Sequence, residues 1–502
     1  MNIDHTTSIC TLAFILFFIS ACQGPSQKVE EKKETTVESS ELPISTTSDE
    51  AKKLYEKGLM TFDLGDNQNA RTLFDKAIAA DPDLAVAYVY RSFCSRSSKE
   101  FTDDVKMANE KNKGLSDAEQ ILVGLDNTYM NNDVTKRMEL SKSMVEKYPN
   151  VARSHVILGI AYEDMNDHKS ARDCFQKAID TDPNWMGGYN SLANSYIFNE
   201  PKDFAAAQTN FQKVVDLMPN ESRAHIGLGD AYRAQSDLEK ALASYMKAME
   251  LSPNDPVAFS KAGHANSFLG NFDDARSNFE KSGSLSEFPA AGLNFTAFTH
   301  LYEGDHAEGM SWLKEQAMAL NESDLSADRR ISTQVNLLEN CMRMAYHIGN
   351  VAELKSLMEV FEPLDKENSA SEAAMTEHAA DMKFWHGMIA SLEGNSEMAN
   401  QLAEECKSGV ASLNNPNELN EYHFLKGDIA MRAGDHAAAA DFFEKADLRG
   451  ILPKYKAAMA HKAAGNEEKA MQMLQEIADF NFNSIGYALV RKEVKDMLAS
   501  SS

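Results

Sequence analysis

Positive charge is scarce in this chain, with 50 Lys and Arg against 76 Asp and Glu and a formal net charge of -26. Phosphate backbones are gripped by clustered Lys and Arg, and no such stripe occurs, so nucleic acid is excluded as a partner. The same deficit disfavours direct docking on an anionic membrane surface. Catalytic signatures are missing too. There is no Gly-x-Ser-x-Gly elbow, no His-Glu-x-x-His, no Cys-x-x-Cys, no phosphate-binding loop and no dinucleotide fingerprint. The 13 histidines are scattered. His378 and His386 form the one cluster, and their spacing sets them about 12 Å apart along a helix, too far for one metal ion. No metal site, no cofactor and no enzymatic activity are expected. Nothing from 51 to 498 leaves room for a separate catalytic domain.

What the chain does have is a repeat. The segments ARSHVILGIAYEDMNDHKSARDCFQKAIDTDP (152–183) and SRAHIGLGDAYRAQSDLEKALASYMKAMELSP (222–253) agree at Leu158/Leu228, Gly159/Gly229, Tyr162/Tyr232 and Ala171/Ala241. They agree again at Phe175/Tyr245, Ala178/Ala248 and Pro183/Pro253. Each unit reads as helix, turn, helix, then a proline that cannot continue the helix. Small residues fall where two antiparallel helices approach, and large ones fill the space beside them. One hairpin cannot bury its apolar face alone, so copies must stack into a continuous core. This set of positions resembles the tetratricopeptide repeat family. The resemblance implies an all-α, right-handed α-solenoid of stacked antiparallel hairpins, about a dozen in number.

The phase extends upstream to Gly58, Ala70, Phe74, Ala77 and Pro82, and downstream to Phe259, Gly263, Ala275 and Phe279. The unit between the two clear copies carries two extra residues, placed in its inter-helix loop around Asn199–Asp203. Beyond Pro289 the consensus thins, but glycine followed by a polar residue keeps marking the turn at Gly304-Asp305, Gly349-Asn350, Gly394-Asn395, Gly434-Asp435 and Gly465-Asn466. The weak stretches are 92–150, 315–335 and 360–378. These signals divide the chain into a leader (1–21), a lipidated tether (22–48), a regular array (49–289), a degenerate array (290–483) and a capping helix with tail (484–502). In the cap, Val490, Val494 and Met497 share a face, the pattern of a helix that solvates the end of a solenoid.

From Ile9 to Ala21 the chain is almost wholly apolar and ends Ile19-Ser20-Ala21-Cys22. That run is too short to span a bilayer and fits a signal-peptide core, although Met1–Ser8 holds no Lys or Arg. The ending resembles a bacterial lipobox, which implies lipidation of Cys22 and attachment to the membrane through that anchor alone. Gln23 after the cysteine implies outer-membrane sorting in a bacterial envelope, on either face. Gln23–Thr47 has no aromatic residue, cannot bury a core and serves as a tether reaching about 25–30 Å. Cys94, Cys174, Cys341 and Cys406 are far apart along an array whose units touch only neighbours, so no disulfide is expected. Cys174 and Cys406 read as small buried hydrophobes.

In the repeat family the concave face, built from first helices, is the usual binding surface. In this phase it is lined by Arg153, Val156, Ile160 and Glu163, then Asn190, Asn194 and Ile197, then Arg223, Ile226, Asp230 and Arg233, then Ser260, His264 and Ser267, with Lys261 at the rim. The groove-binding set is taken as Arg153, Asn190, Asn194, Arg223, Asp230, Arg233, Lys261 and His264. Such side chains suit an extended peptide held through Arg and Asn contacts. Of the Lys and Asn positions that clamp chaperone tails in relatives, only Asn194 and Lys261 match, so that specificity is not expected. His155 and His225 recur with the repeat and read as packing residues. The function implied is a lipid-anchored envelope scaffold that binds another envelope protein or an extended peptide. The rival is a helical lipoprotein that captures glycans or other ligands. Three tryptophans and no long Gly/Asn/aromatic insertion weigh against it.

Overall fold

The computed structural model describes residues 41–287 and 289–501. Among these there is no strand, and the chain is a series of helical hairpins. The first six are α1 (Asp49–Asp63) with α2 (Asn67–Ala80), α3 (Ala85–Ser92) with α4 (Ser98–Glu110), α5 (Asp117–Met130) with α6 (Val134–Lys147), α7 (Ala152–Asp164) with α8 (His168–Thr181), α9 (Met186–Phe198) with α10 (Phe204–Leu217), and α11 (Ser222–Ala234) with α12 (Leu238–Leu251). Six more follow: α13 (Pro256–Leu269) with α14 (Phe272–Leu285), α15 (Pro289–Glu303) with α16 (His306–Ala319), α17 (Ala327–His347) with α18 (Val351–Asn368), α19 (Glu372–Leu392) with α20 (Ser396–Gly409), α21 (Asn420–Arg432) with α22 (His436–Lys445), and α23 (Ile451–Ala463) with α24 (Glu467–Ala478). A last helix, α25 (Ile485–Ser501), ends the described chain. The leader, Cys22 and most of the tether lie outside the described residues.

The repeated residue types have direct physical causes. A Cβ placed on Gly229 would meet the Tyr245 ring at 2.5 Å, on Gly263 the Phe279 ring at 2.5 Å, and on Gly58 the Phe74 ring at 2.7 Å. In these hairpins the glycine of the first helix makes room for the aromatic of the second, and those rings are fully buried. Another position donates a hydrogen bond to the carbonyl of the proline six residues earlier. His155 does so to Pro149 (2.8 Å), His225 to Pro219 (2.9 Å), Tyr189 to Pro183 (3.1 Å) and Tyr88 to Pro82 (3.4 Å). The recurring histidines are therefore turn fasteners rather than ligands.

The turns follow the Gly-polar signal. Gly304, Gly349, Gly394, Gly434 and Gly465 all adopt positive φ, where a Cβ is penalised. The polar residue after four of them caps the next helix: Asp305, Asn350, Asn395 and Asp435 accept from backbone N–H groups three residues on. The extra residues of the fifth hairpin sit in the loop between Phe198 and Phe204, as expected. The thin consensus of the second half also has a cause. α17 and α19 run 21 residues each and α18 runs 18, against 13 or 14 in the two clear repeats, so the repeat register is stretched.

Two expectations are corrected. The units do not touch only their neighbours, because the array curls until distant hairpins meet. Nor is α25 only an end cap: Tyr487, Ala488, Leu489, Val490 and Val494 are buried, and the helix packs on α15 and α17 as well as on α23 and α24. Cys94, Cys341 and Cys406 are buried, while Cys174 is half-buried. Burial pushes the Cys341 thiol up to about 12, which keeps it inert. No described helix is long and apolar enough to cross a membrane.

Candidate functional site

Closure is made by polar contacts between residues far apart in sequence. Asn132 donates to Glu377 (2.7 Å) and Glu418 (2.8 Å) and accepts from Asn415 (2.7 Å). Asn166 donates to Asn417 (3.1 Å), whose own amide reaches the Asp164 carbonyl (3.1 Å). Ser97 bonds Asp328 at 2.6 Å, and Arg96 pairs with Glu287 at 3.0 Å. The turns of the second, third and fourth hairpins are thereby fastened to the linker after the seventh, to the ninth and tenth hairpins, and to the linker before the eleventh.

Between them lies a chamber of about 600 Å³, within the size range of ligand-binding pockets. Its walls carry seven carboxylates (Glu163, Asp164, Glu339, Asp365, Glu377, Asp381 and Glu418) against Arg137, Lys202, Arg449 and His378. All four basic side chains are engaged: Arg137 with Asp164 (2.7 Å), Arg449 with Asp447 (2.9 Å), Lys202 with Glu200 (3.4 Å), and the His378 ring with Asp365 (2.7 Å). Eight asparagines add amide groups: Asn132, Asn194, Asn199, Asn336, Asn368, Asn415, Asn417 and Asn420. Burial pushes the Glu163 carboxyl up to about 7, against the lowering from its hydrogen bonds with Ser195 and Asn199. Burial, with the adjacent Glu421 carboxyl, holds Asp381 well above the usual carboxylate range. Among the described residues no group of histidines, cysteines or carboxylates has metal-holding geometry.

Of the concave positions predicted from sequence, Ile160, Glu163 and Asn194 face the chamber. The expectation of an open groove at the others is corrected. Arg153 is buried against Asp63 at 3.0 Å, and Arg223 pairs with Asp255 (2.8 Å) while donating to the Gly65 carbonyl in the first turn (2.7 Å). Asn190 is buried. Asp230 lies buried and accepts from Lys261 (2.6 Å), Tyr245 (2.7 Å) and Arg233 (2.9 Å). His264 is buried and held neutral by desolvation and by the nearby Arg233 and Lys261 charges.

The chain's own segment 480–483 covers this part of the concave face. Phe482 packs on Phe198 (4.9 Å between ring centres) and lies under the Arg233 guanidinium at 4.4 Å. Asn481 donates to Ser236 (2.8 Å), and Asn483 bonds His264 and Tyr302. Sequence reasoning missed the second wall of the chamber, including Asp365, Glu377, Asp381, Trp385 and the asparagines of 415–420. One signal pointed to it. The turn glycine is replaced by Asn132, Asn166 and Ser236, all at positive φ, and each uses its side chain for a closure contact.

Comparison with known families matches four segments: a TPR repeat at 229–270 and tetratricopeptide repeats at 51–84, 152–185 and 418–455. No curated protein matches the chain. Among solved structures, a thermophilic TPR protein in Thermus thermophilus is 19% identical over 38% of this chain and 100% of its own (TM-score 0.30). MamA 41-end from Desulfovibrio magneticus RS-1 is 22% identical over 34% and 96% (TM-score 0.29). A tetratricopeptide repeat protein from Parabacteroides merdae ATCC 43184 is 12% identical over 58% and 99% (TM-score 0.33). The chain thus carries tetratricopeptide repeats near its start, in its middle and late in its sequence, set among twelve stacked hairpins that the described residues form between Asp49 and Ala478.

Proposed function

We propose that the protein is a non-catalytic interaction scaffold, tethered to a bacterial envelope membrane through a lipid on Cys22, that holds a short segment of a partner protein inside its central chamber. The observation that carries this reading is the chamber itself, lined from both halves of the array and about 600 Å³ in volume. The concave positions of α11 and α13 are occupied by the chain's own residues, which leaves the chamber as the accessible recognition surface. Its acid excess suits a basic segment. Eight wall asparagines and Trp385 also support a second reading, capture of a glycan, because amides and an aromatic face are what sugar hydroxyls and rings require.

A photo-crosslinking residue at Asn194, inside the chamber, and another at Met246, which is 55% exposed outside it, separate the readings in intact cells. A protein adduct formed from position 194 and absent from position 246 is the expected result. Adducts from both positions alike, or a glycan and no protein from position 194, would overturn it. Labelling with a palmitate analogue tests the anchor, since incorporation must vanish in Cys22→Ser.

A further inference from the structure

The chamber has a side pocket of about 70 Å³, joined to it at Tyr129, Arg137 and Ile160, which line both. Its walls are mostly apolar, formed by residues such as Val89, Leu125 and Val156 on α3, α5 and α7. Three of its lining residues nevertheless carry polar atoms with no hydrogen-bond partner: Trp185 Nε1, Ser141 Oγ and Arg153 Nε. These residues are only 6%, 0% and 9% exposed. A buried donor without an acceptor is costly, and well-packed interiors avoid it. Two of the three atoms can only donate and the hydroxyl can do either, so the missing group is an acceptor.

The chemistry of that acceptor is narrowed by its surroundings. Arg153 already pairs with Asp63 at 3.0 Å, so the pocket holds no unbalanced positive charge for a carboxylate, which would lie beside Asp63. A neutral carbonyl fits. The apolar walls call for an aliphatic arm next to it, and the acid-lined chamber outside calls for a cation. An acetamido group on a sugar supplies the carbonyl, but its single methyl leaves most of the pocket unfilled.

We propose that the side pocket is a specificity pocket for a peptide. It takes a branched aliphatic side chain, with the adjoining backbone carbonyl accepting from Trp185 and Ser141. A neighbouring Lys or Arg of the peptide faces Glu377 and Glu418 in the chamber, whose carboxylates accept from the neutral Asn132 amide. This rests on the reading that the chamber holds a partner segment.

The chain has three tryptophans, so indole N–H signals of the full-length protein labelled with ¹⁵N-tryptophan report the site directly. The probes are capped hexapeptides Gly-Ser-X-Lys-Ser-Gly, with X as Val, Leu or Gly, and their Lys→Glu counterparts. The Trp185 signal is expected to shift with Val and Leu but not with Gly, and the Lys→Glu peptides to bind at least tenfold more weakly. Val156→Phe, which fills the pocket, should weaken the Leu peptide at least tenfold, and Ser141→Ala about fivefold, the loss of one hydrogen bond. An unchanged Trp312 signal shows that each variant is folded. Movement of Trp385 alone, whatever X is, overturns the side pocket and leaves the chamber reading standing. Movement of Trp185 with N-acetylchitotriose and not with the peptides overturns the peptide assignment. No movement with any probe overturns both.

Discussion

Asp230 shows how a position that would face a ligand in an open groove becomes structural in a closed one. Its carboxylate is buried yet held below the usual range: burial raises it, and Lys261, Arg233 and the Tyr245 hydroxyl outweigh that cost. Asp230→Asn would leave Arg233, 2% exposed, and Lys261 without their counter-charge. A loss of about 3–5 kcal/mol is expected in urea denaturation. Because its folded pKa lies below the unfolded one, its stabilisation is complete above the unfolded value and fades as pH falls through the folded value. Glu163 has the opposite sign. Its folded pKa of about 7 lies above the ordinary 4.5, so its contribution is complete below 4.5 and is lost as pH rises through 7. The melting temperature should fall between pH 5 and 8, and Glu163→Gln should flatten that fall. An unchanged slope in the variant would show that Glu163 is not the group titrating.

Among elements, what sequence made legible was whatever recurs. The glycine–aromatic pairs, the turn glycines and the prolines at 82, 149, 183, 219 and 253 repeat in register, and the helices they imply are present from Asp49 onward. The segment 480–483 was not legible, because its partners Ser236, His264 and Tyr302 are some two hundred residues away and share no period with it. Propensity gives no sign that a short non-helical stretch fills a groove. Its role is testable. Phe482→Ala removes the ring that lies under Arg233 and meets Phe198 edge-on, and amide exchange should then rise across 480–484 and along α11 while the first three hairpins stay protected. Exchange rising evenly over the whole chain would assign Phe482 to general packing instead.

Taken whole, the molecule departs from a simple repeat array because its ends are not independent. Sequence reading reached a small part of the candidate site: Ile160, Glu163 and Asn194 lie on the chamber wall, and Asn194 alone belongs to the groove-binding set. The facing wall lies in α17 to α21, where helices of 18 to 21 residues blur the repeat and no phase marks which residues point inward. Closure itself depends on single amide and carboxylate contacts across 245 to 286 positions, which no periodic pattern encodes. The most direct test is therefore covalent. Asn166 and Asn417 bond side chain to side chain at 3.1 Å although 251 positions separate them, and the cysteines placed in the structure are buried or half-buried. Asn166→Cys with Asn417→Cys should form an intrachain disulfide on mild oxidation, seen as a faster, reductant-sensitive band absent from either single variant. A double variant that stays fully reduced, its two thiols freely alkylated, would mean an open solenoid and no chamber.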